Sequence, residues 1–210
     1  MKSWTPVAIL TIGFTLGVSL MGVEMAAMRM LTPYFGSSID IWACMISTVM
    51  LSLMAGYYLG GMVADRAPRT DTLGVVVLIA GVFLCAVPPL ATPVLDAMGE
   101  AFGQGDHDTL VMGALLSAIL MMFVPMTLLS FFSPYAVRLL LADTAHGGRV
   151  AGSVYSITTI GNIVGTLGTA LGLMRFMGSR DITFTFAGVI IVCGVALIAL
   201  RSGARAHAAA

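Results

Sequence analysis

One acid stands deep inside an apolar run: Glu24, in the segment GVEMAAMRM, about 12 Å of helix rise before Thr32. A carboxylate is costly to keep charged at that depth, so such a group takes up and releases a proton or meets a cation, as coupling acids in transporters do. The alternative is a structural hydrogen bond or ion pair. Arg29 is the nearest charge in sequence, but a separation of five turns the two about 140° apart on a helix. Glu24 is therefore expected to point into the bundle toward another helix. A second polar cluster, Tyr155, Ser156, Thr158, Thr159, Asn162 and Thr166, is unusually dense for a lipid-facing helix and is expected to face protein or water, although Ser and Thr can also satisfy their own helix carbonyls. Glu24, Arg29, Tyr155, Asn162 and Thr166 are the candidates for contact with a substrate or a proton.

Catalytic chemistry finds no comparable support. His107, His146 and His207 fall in three separate polar segments without an HExxH or paired spacing, and Cys44, Cys85 and Cys193 sit in apolar runs without CxxC. No catalytic residue, metal or cofactor is expected, and the chain is not read as an enzyme. The sixteen methionines could suggest a soft Cu(I) path, but packing and lipid contact explain them more simply. No basic run interleaved with aromatics occurs, so nucleic acid is not an expected partner.

The elements that must carry these residues follow from composition. Of 210 residues, 59% are hydrophobic and 10% charged, with a mean hydropathy of +1.01, whereas a soluble domain is roughly a quarter charged. Ten basic and ten acidic residues cannot coat a water-soluble surface, so the bilayer must be the solvent. Crossing it takes about 20 apolar residues, and six stretches qualify: 6–31, 41–64, 72–95, 109–132, 150–174 and 182–200. They predict an all-α, polytopic membrane bundle in a single transmembrane domain over 1–210. The first run is too long for a signal-peptide core and ends in no small-residue cleavage site, so it reads as a retained first helix.

The expected connections are 32–40, 65–71, 96–108, 133–149 and 175–181. Lys2, Arg66, Arg69, Arg138, Arg149, Arg201 and Arg205 fall on one side of such a bundle and Arg29, Arg175 and Arg180 on the other, which puts both termini in the cytoplasm. Pro88, Pro89 and Pro93 are expected to kink or end the third span, and Pro125 the fourth. Gly161, Gly165, Gly168, Thr169 and Gly172 form a small-residue face on the fifth span, with Gly56, Gly60 and Ala64 on the second, so both should pack closely against a neighbouring helix. The fifth span should be central or pressed against a second copy.

After the second span, Gly61-Met-Val-Ala-Asp65-Arg66-Ala-Pro68-Arg69 resembles the G-x-x-x-D-R-x-G-R turn of major facilitator transporters, with Pro68 in place of a glycine. An acid at a helix end and arginines in a tight turn can latch neighbouring helices. Longer stretches sharpen the likeness. Glu24-Met-Ala-Ala-Met-Arg29 with the following Pro33-Tyr34-Phe35-Gly36, Gly56-Tyr-Tyr-Leu-Gly60, Ser133-Pro134-Tyr135-Ala-Val-Arg138, and Gly148-Arg149 through Thr166 are similar to the membrane portion of spermidine-synthase-like membrane proteins, also called fused major-facilitator and spermidine synthase proteins. The likeness covers about 22–181. It implies a half-facilitator bundle in which Glu24, Arg29, Asp65, Arg66 and Arg138 match family positions. That family often carries a soluble aminopropyltransferase domain; no strand followed by GxGxG occurs within these residues, so the synthase chemistry is not carried over.

These readings predict a small transporter-like protein of a prokaryotic inner membrane, moving polyamines or other organic cations, with lipid around it and a homodimer or larger membrane complex as its assembly. The alternative is a non-catalytic subunit or scaffold that docks a separate soluble enzyme or a larger membrane complex.

Overall fold

The computed structural model describes residues 4–103, 105–141 and 146–206. Every regular element among them is helical: α1 (Trp4–Phe35), α2 (Ile39–Arg66), α3 (Thr70–Phe102), α4 (His107–Ser130), α5 (Phe132–Leu140), α6 (Gly147–Gly168), a π-helical turn (Thr169–Leu173), a short α7 (Met174–Phe176) and α8 (Ser179–Ala206). Six helical stretches are long and apolar enough to cross a membrane: Pro6–Phe35, Ile39–Arg66, Thr70–Phe102, His107–Leu140, Gly147–Phe176 and Ser179–Leu200. The chain is a six-span, all-α, multi-pass membrane protein. Lys2 and His207 lie outside the described residues, as does part of the 133–149 connection.

Most spans run past the expected ends, because a helix continues through polar residues once its backbone is paired. α1 reaches Phe35 and turns at Gly36, whose φ of 85° is the left-handed conformation glycine adopts freely. α3 runs through Pro88, Pro89 and Pro93 to Phe102, so these prolines do not end it, and α4 likewise runs through Pro125. The expected 133–149 connection is helical at its start, as α5. Pro134 stands in the first turn of α5, where its missing N–H costs nothing. At the start of α4, Asp106 caps the helix by accepting from the Thr109 hydroxyl and amide, and these bonds hold its carboxyl below the ordinary range.

Three helix pairs form the frame: α1 with α6, α2 with α4, and α3 with α8. Two further seams, α1 with α8 and α3 with α4, close the bundle. Exchanging spans one to three for spans four to six turns the α1–α6 pair into the α4–α2 pair and the α1–α8 seam into the α4–α3 seam. It returns α3–α8 to itself. Repeats of three spans run in opposite senses through a membrane, so this packing follows the pattern of an inverted repeat.

Glycines set the distances in each pair. A methyl built on Gly161 would stand 2.3 Å from the Phe14 carbonyl oxygen, and one on Gly165 2.2 Å from that of Val18. On α2, a methyl built on Gly56 would stand 2.3 Å from the Thr127 carbonyl oxygen and one on Gly60 2.7 Å from the Phe131 backbone, while Ala64 is buried. Between α3 and α8, Gly74 and Gly194 face one another, and a methyl built on either would stand within 2.9 Å of the other's carbonyl oxygen. Such approaches gain van der Waals contact that lipid cannot give.

Two packing expectations need correction. Gly168 and Gly172 have nothing within 4 Å of a built methyl, because the buried stripe runs through Gly161, Gly165 and Thr169 at four-residue spacing and leaves both glycines off it. The fifth span is also peripheral rather than central: Val154, Gly161 and Gly165 are the buried residues of α6. Ile160, Ile163, Val164 and Leu167 are each about half exposed on its outer flank.

Candidate functional site

α1 and α6 run parallel, with Phe14 against Gly161 and Val18 against Gly165. Beside their crossing lies a groove of about 40 Å³, large enough for a water molecule, between Gly13, Gly17 and Leu20 of α1, Tyr57 of α2, Ser133 of α5, and Thr158 and Asn162 of α6. Gly17 is essential to its shape: a methyl there would stand 2.4 Å from the Thr158 carbonyl oxygen and 3.0 Å from the Asn162 side chain. With its amide turned to donate, Asn162 reaches the carbonyls of Gly17 at 3.1 Å and Thr158 at 3.2 Å, tying the two helices together.

Glu24 extends the same α1 stripe. Gly13, Gly17, Leu20 and Glu24 are spaced four, three and four, which is one face of a helix. Its residue is 6% exposed, and among the described residues it makes no hydrogen bond or ion pair. On α6, Thr169 follows Asn162 by seven residues, as Glu24 follows Gly17. Parallel helices matched at Gly17 and Asn162 thus carry Glu24 and Thr169 to one level, about two turns farther along.

Thr169 is 1% exposed, and its hydroxyl is the one fully enclosed side-chain oxygen or nitrogen among the described residues that has no partner. Elsewhere in the bundle, Ser19, Thr48, Ser52, Ser117, Thr127, Ser130 and Thr183 each donate to the carbonyl four residues back. Thr169 begins the π turn, where the backbone changes its pitch, and π turns recur at functional sites.

The other expected site residues go elsewhere. Thr166 donates to the Asn162 carbonyl at 2.9 Å, and Thr158 to those of Val154 and Tyr155. Tyr155 is 43% exposed on the outer side of α6. Arg29 is turned away from Glu24 and donates to the Met174 carbonyl at 2.8 Å, capping the end of the π segment. Of the five candidates, Asn162 lines the groove and Glu24 lies on the α1 stripe that lines it. Thr169 was not among them.

At the end of the bundle that bears the termini, Asp65 pairs with Arg138 at 3.3 Å, joining α2 to α5. Arg69 pairs with Asp71 at 3.1 Å rather than with a neighbouring helix, and Arg66 is exposed. Gly61 has nothing within 4 Å of a built methyl. The fully buried Tyr135 completes the turn: its hydroxyl donates to the Ala67 carbonyl and accepts from the Arg69 amide at 3.3 Å. Sequence reasoning gave Tyr135 no role, although it lies in the same short segment as Arg138.

Fold and site together define a polytopic helical membrane protein with an unpartnered acid beside an internal groove. Comparison of the chain with family models, with curated proteins and with solved structures gives no match.

Proposed function

We propose that this protein is a small transporter-like unit, half of a facilitator-type bundle, in which Glu24 exchanges a proton or an organic cation such as a polyamine. The supporting observation is the state of Glu24. It is a carboxyl 6% exposed, with no hydrogen bond or ion pair among the described residues, on the stripe that lines a groove between four spans. A structural acid has its partner built in, whereas an acid that binds and releases a cation needs its oxygens free. Thr169 lies at the same level with an unused hydroxyl, and Asn162 holds the helices around the groove. The likeness to the membrane portion of spermidine-synthase-like membrane proteins supports the same reading, with residence in a prokaryotic inner membrane and both termini cytoplasmic. Half a facilitator needs a second copy to enclose a path.

Uptake of radiolabelled polyamine into vesicles holding the full chain tests this reading. Glu24→Gln, which keeps shape and removes the charge, is expected to lower uptake at least about tenfold, or about 1.4 kcal/mol in the rate-limiting step. Unchanged uptake removes Glu24 from the mechanism. The open apolar flank of α6 favours a second reading, a subunit docked into a larger membrane complex. That reading gains if the chain co-purifies in fixed stoichiometry with other subunits and shows no uptake.

A further inference from the structure

Toward the end of the bundle away from the termini, a cavity of about 390 Å³ opens between the last turns of α1, the stretch of α3 around Ala91–Leu95 and the start of α8. That volume falls within the range of small-molecule sites. Its floor is apolar, from Met30, Ala91 and Leu95, and its rim is polar, from Tyr34, Arg180 and Asp181. Arg180 donates to the Thr92 hydroxyl, and no carboxylate among the described residues lies at ion-pair distance from it. A guanidinium has five donors, so most of its fork is unused. Two carboxylates stand nearby: Asp181 on the rim, and Asp96, which accepts from the Tyr34 hydroxyl at 2.8 Å.

Depth decides what such a cavity meets. It lies beside the end of α1 and the start of α8, which sets it near where those two spans leave the hydrocarbon, at the level of lipid headgroups. Phe184, one turn past Arg180 on α8, is 45% exposed, and Leu90, just before the cavity on α3, is 56% exposed, so an apolar wall leads from the cavity toward the membrane interior. A cation able to grip a phosphate, a carboxylate beside it and an apolar wall below match one amphipathic ligand.

We propose that this cavity binds the headgroup of a phospholipid carrying a primary ammonium, with its phosphate on Arg180 and its ammonium on Asp181 and Asp96. Guanidinium and phosphate form bidentate bonds. A primary ammonium donates three hydrogen bonds to carboxylates, and a quaternary choline donates none, so phosphatidylethanolamine is preferred over phosphatidylcholine. The site is separate from Glu24 and does not depend on the transport reading.

The test uses the full chain, delipidated in detergent, with phosphatidylethanolamine, phosphatidylcholine or phosphatidylglycerol of identical acyl chains, or inorganic phosphate, added in turn. Thermal unfolding and native mass spectrometry give the readout. Phosphatidylethanolamine is expected to raise the melting temperature most and to remain bound at one molecule per chain. Arg180→Gln should weaken that binding about tenfold, or about 1.4 kcal/mol. Asp181→Asn should remove the preference for ethanolamine over choline and leave binding of the phosphate in place. Equal stabilisation by all three lipids, or an unchanged affinity in Arg180→Gln, overturns the proposal. An equal shift from inorganic phosphate alone also overturns it, because a free anion would then be the ligand. If Arg180→Gln does not fold, Arg180→Lys keeps the charge but loses the fork, and an affinity equal to the wild type overturns the bidentate contact.

Discussion

Where α2 meets α4, Gly56 and Gly60 lie against the opposing backbone, and the buried hydroxyls along that seam, Thr48, Ser52, Thr127 and Ser130, all donate to carbonyls of their own helix. Where α1 meets α6, Gly161 and Gly165 make the same close approach, yet the seam continues into Glu24 and Thr169, which have no partner among the described residues. The two pairs exchange places under the three-span swap, so one architecture appears once complete and once open. Close packing alone therefore does not account for the polar residues of α1 and α6. The bundle pairs Thr48, Ser52, Thr127 and Ser130 along one seam and leaves an acid and a hydroxyl unpaired along the other, the contrast on which the proposed exchange at Glu24 rests.

The largest expected effect tests whether the two seams are equally closed. Gly165→Leu forces a side chain into the Val18 carbonyl, 2.2 Å from a built methyl, and backbone cannot swing aside. A loss of about 3 kcal/mol is expected from overpacking. Gly168→Leu, with open space around it, should change stability by less than about 0.5 kcal/mol. Reversible unfolding in mixed micelles measures both, and equal losses would mean that Gly168 is packed as tightly as Gly165. Gly56→Leu, where a built methyl stands 2.3 Å from the Thr127 carbonyl oxygen, should cost about as much.

Next in size is the turn after α2, a feature of the complete side. Tyr135→Phe deletes the hydroxyl that serves both the Ala67 carbonyl and the Arg69 amide, and should cost about 1–3 kcal/mol. The α1–α6 side has no matching test, since no buried tyrosine caps its turn at Met177–Gly178. A loss no greater than that of Tyr58→Phe, whose ring is 70% exposed, would show that the capped turn adds nothing to the closed seam.

Much of this arrangement was legible in the sequence, and what was missed has physical reasons. The six spans were readable because hydrocarbon admits only long apolar helices, which leaves a simple signal of length and composition. α5 was not, because Ser133-Pro134 reads as a breaker unless Pro134 is known to fall in a first turn. Glu24 stood out because charge at depth is rare, and Asn162 because an amide in an apolar helix is. Thr169 read as one member of a small-residue packing face and not as a site residue. What marks it is a bond it does not make, and the other Ser and Thr side chains look no different from it in one dimension until the π turn sets its backbone apart. Gly74 and Gly194 escaped for a related reason. Gly74 has its next glycine against α8 only seven residues on, at Gly81, and Gly194 has none among the described residues, so no four-residue stripe marks either sequence.

Thr169→Val sharpens the comparison with a change of sign. Valine keeps the shape and deletes an enclosed hydroxyl without a partner, so stability should rise by up to about 1 kcal/mol. Thr48→Val, on the complete side, deletes a hydroxyl bonded to the Cys44 carbonyl at 2.9 Å and should lower stability by a similar amount or less. Polyamine uptake by the Thr169→Val protein should fall while its stability rises, the pattern expected where binding groups are kept at a cost to the fold. A loss of stability equal to that of Thr48→Val would erase the distinction between the two seams.

The smallest effect belongs to the Asp65–Arg138 pair that joins α2 to α5. The side chains are 77% and 44% exposed, so water and salt screen the 3.3 Å contact. A double-mutant cycle of Asp65→Asn and Arg138→Gln should give a coupling below about 1 kcal/mol at low salt that fades as salt rises. Such a weak bond adds little to a seam already held by Gly56 and Gly60, yet it is weak enough to be made and broken as helices rock. If the coupling proves strong and indifferent to salt, α5 is fixed to α2, and the closed side of the bundle is a rigid wall against which the open α1–α6 side must do all the moving.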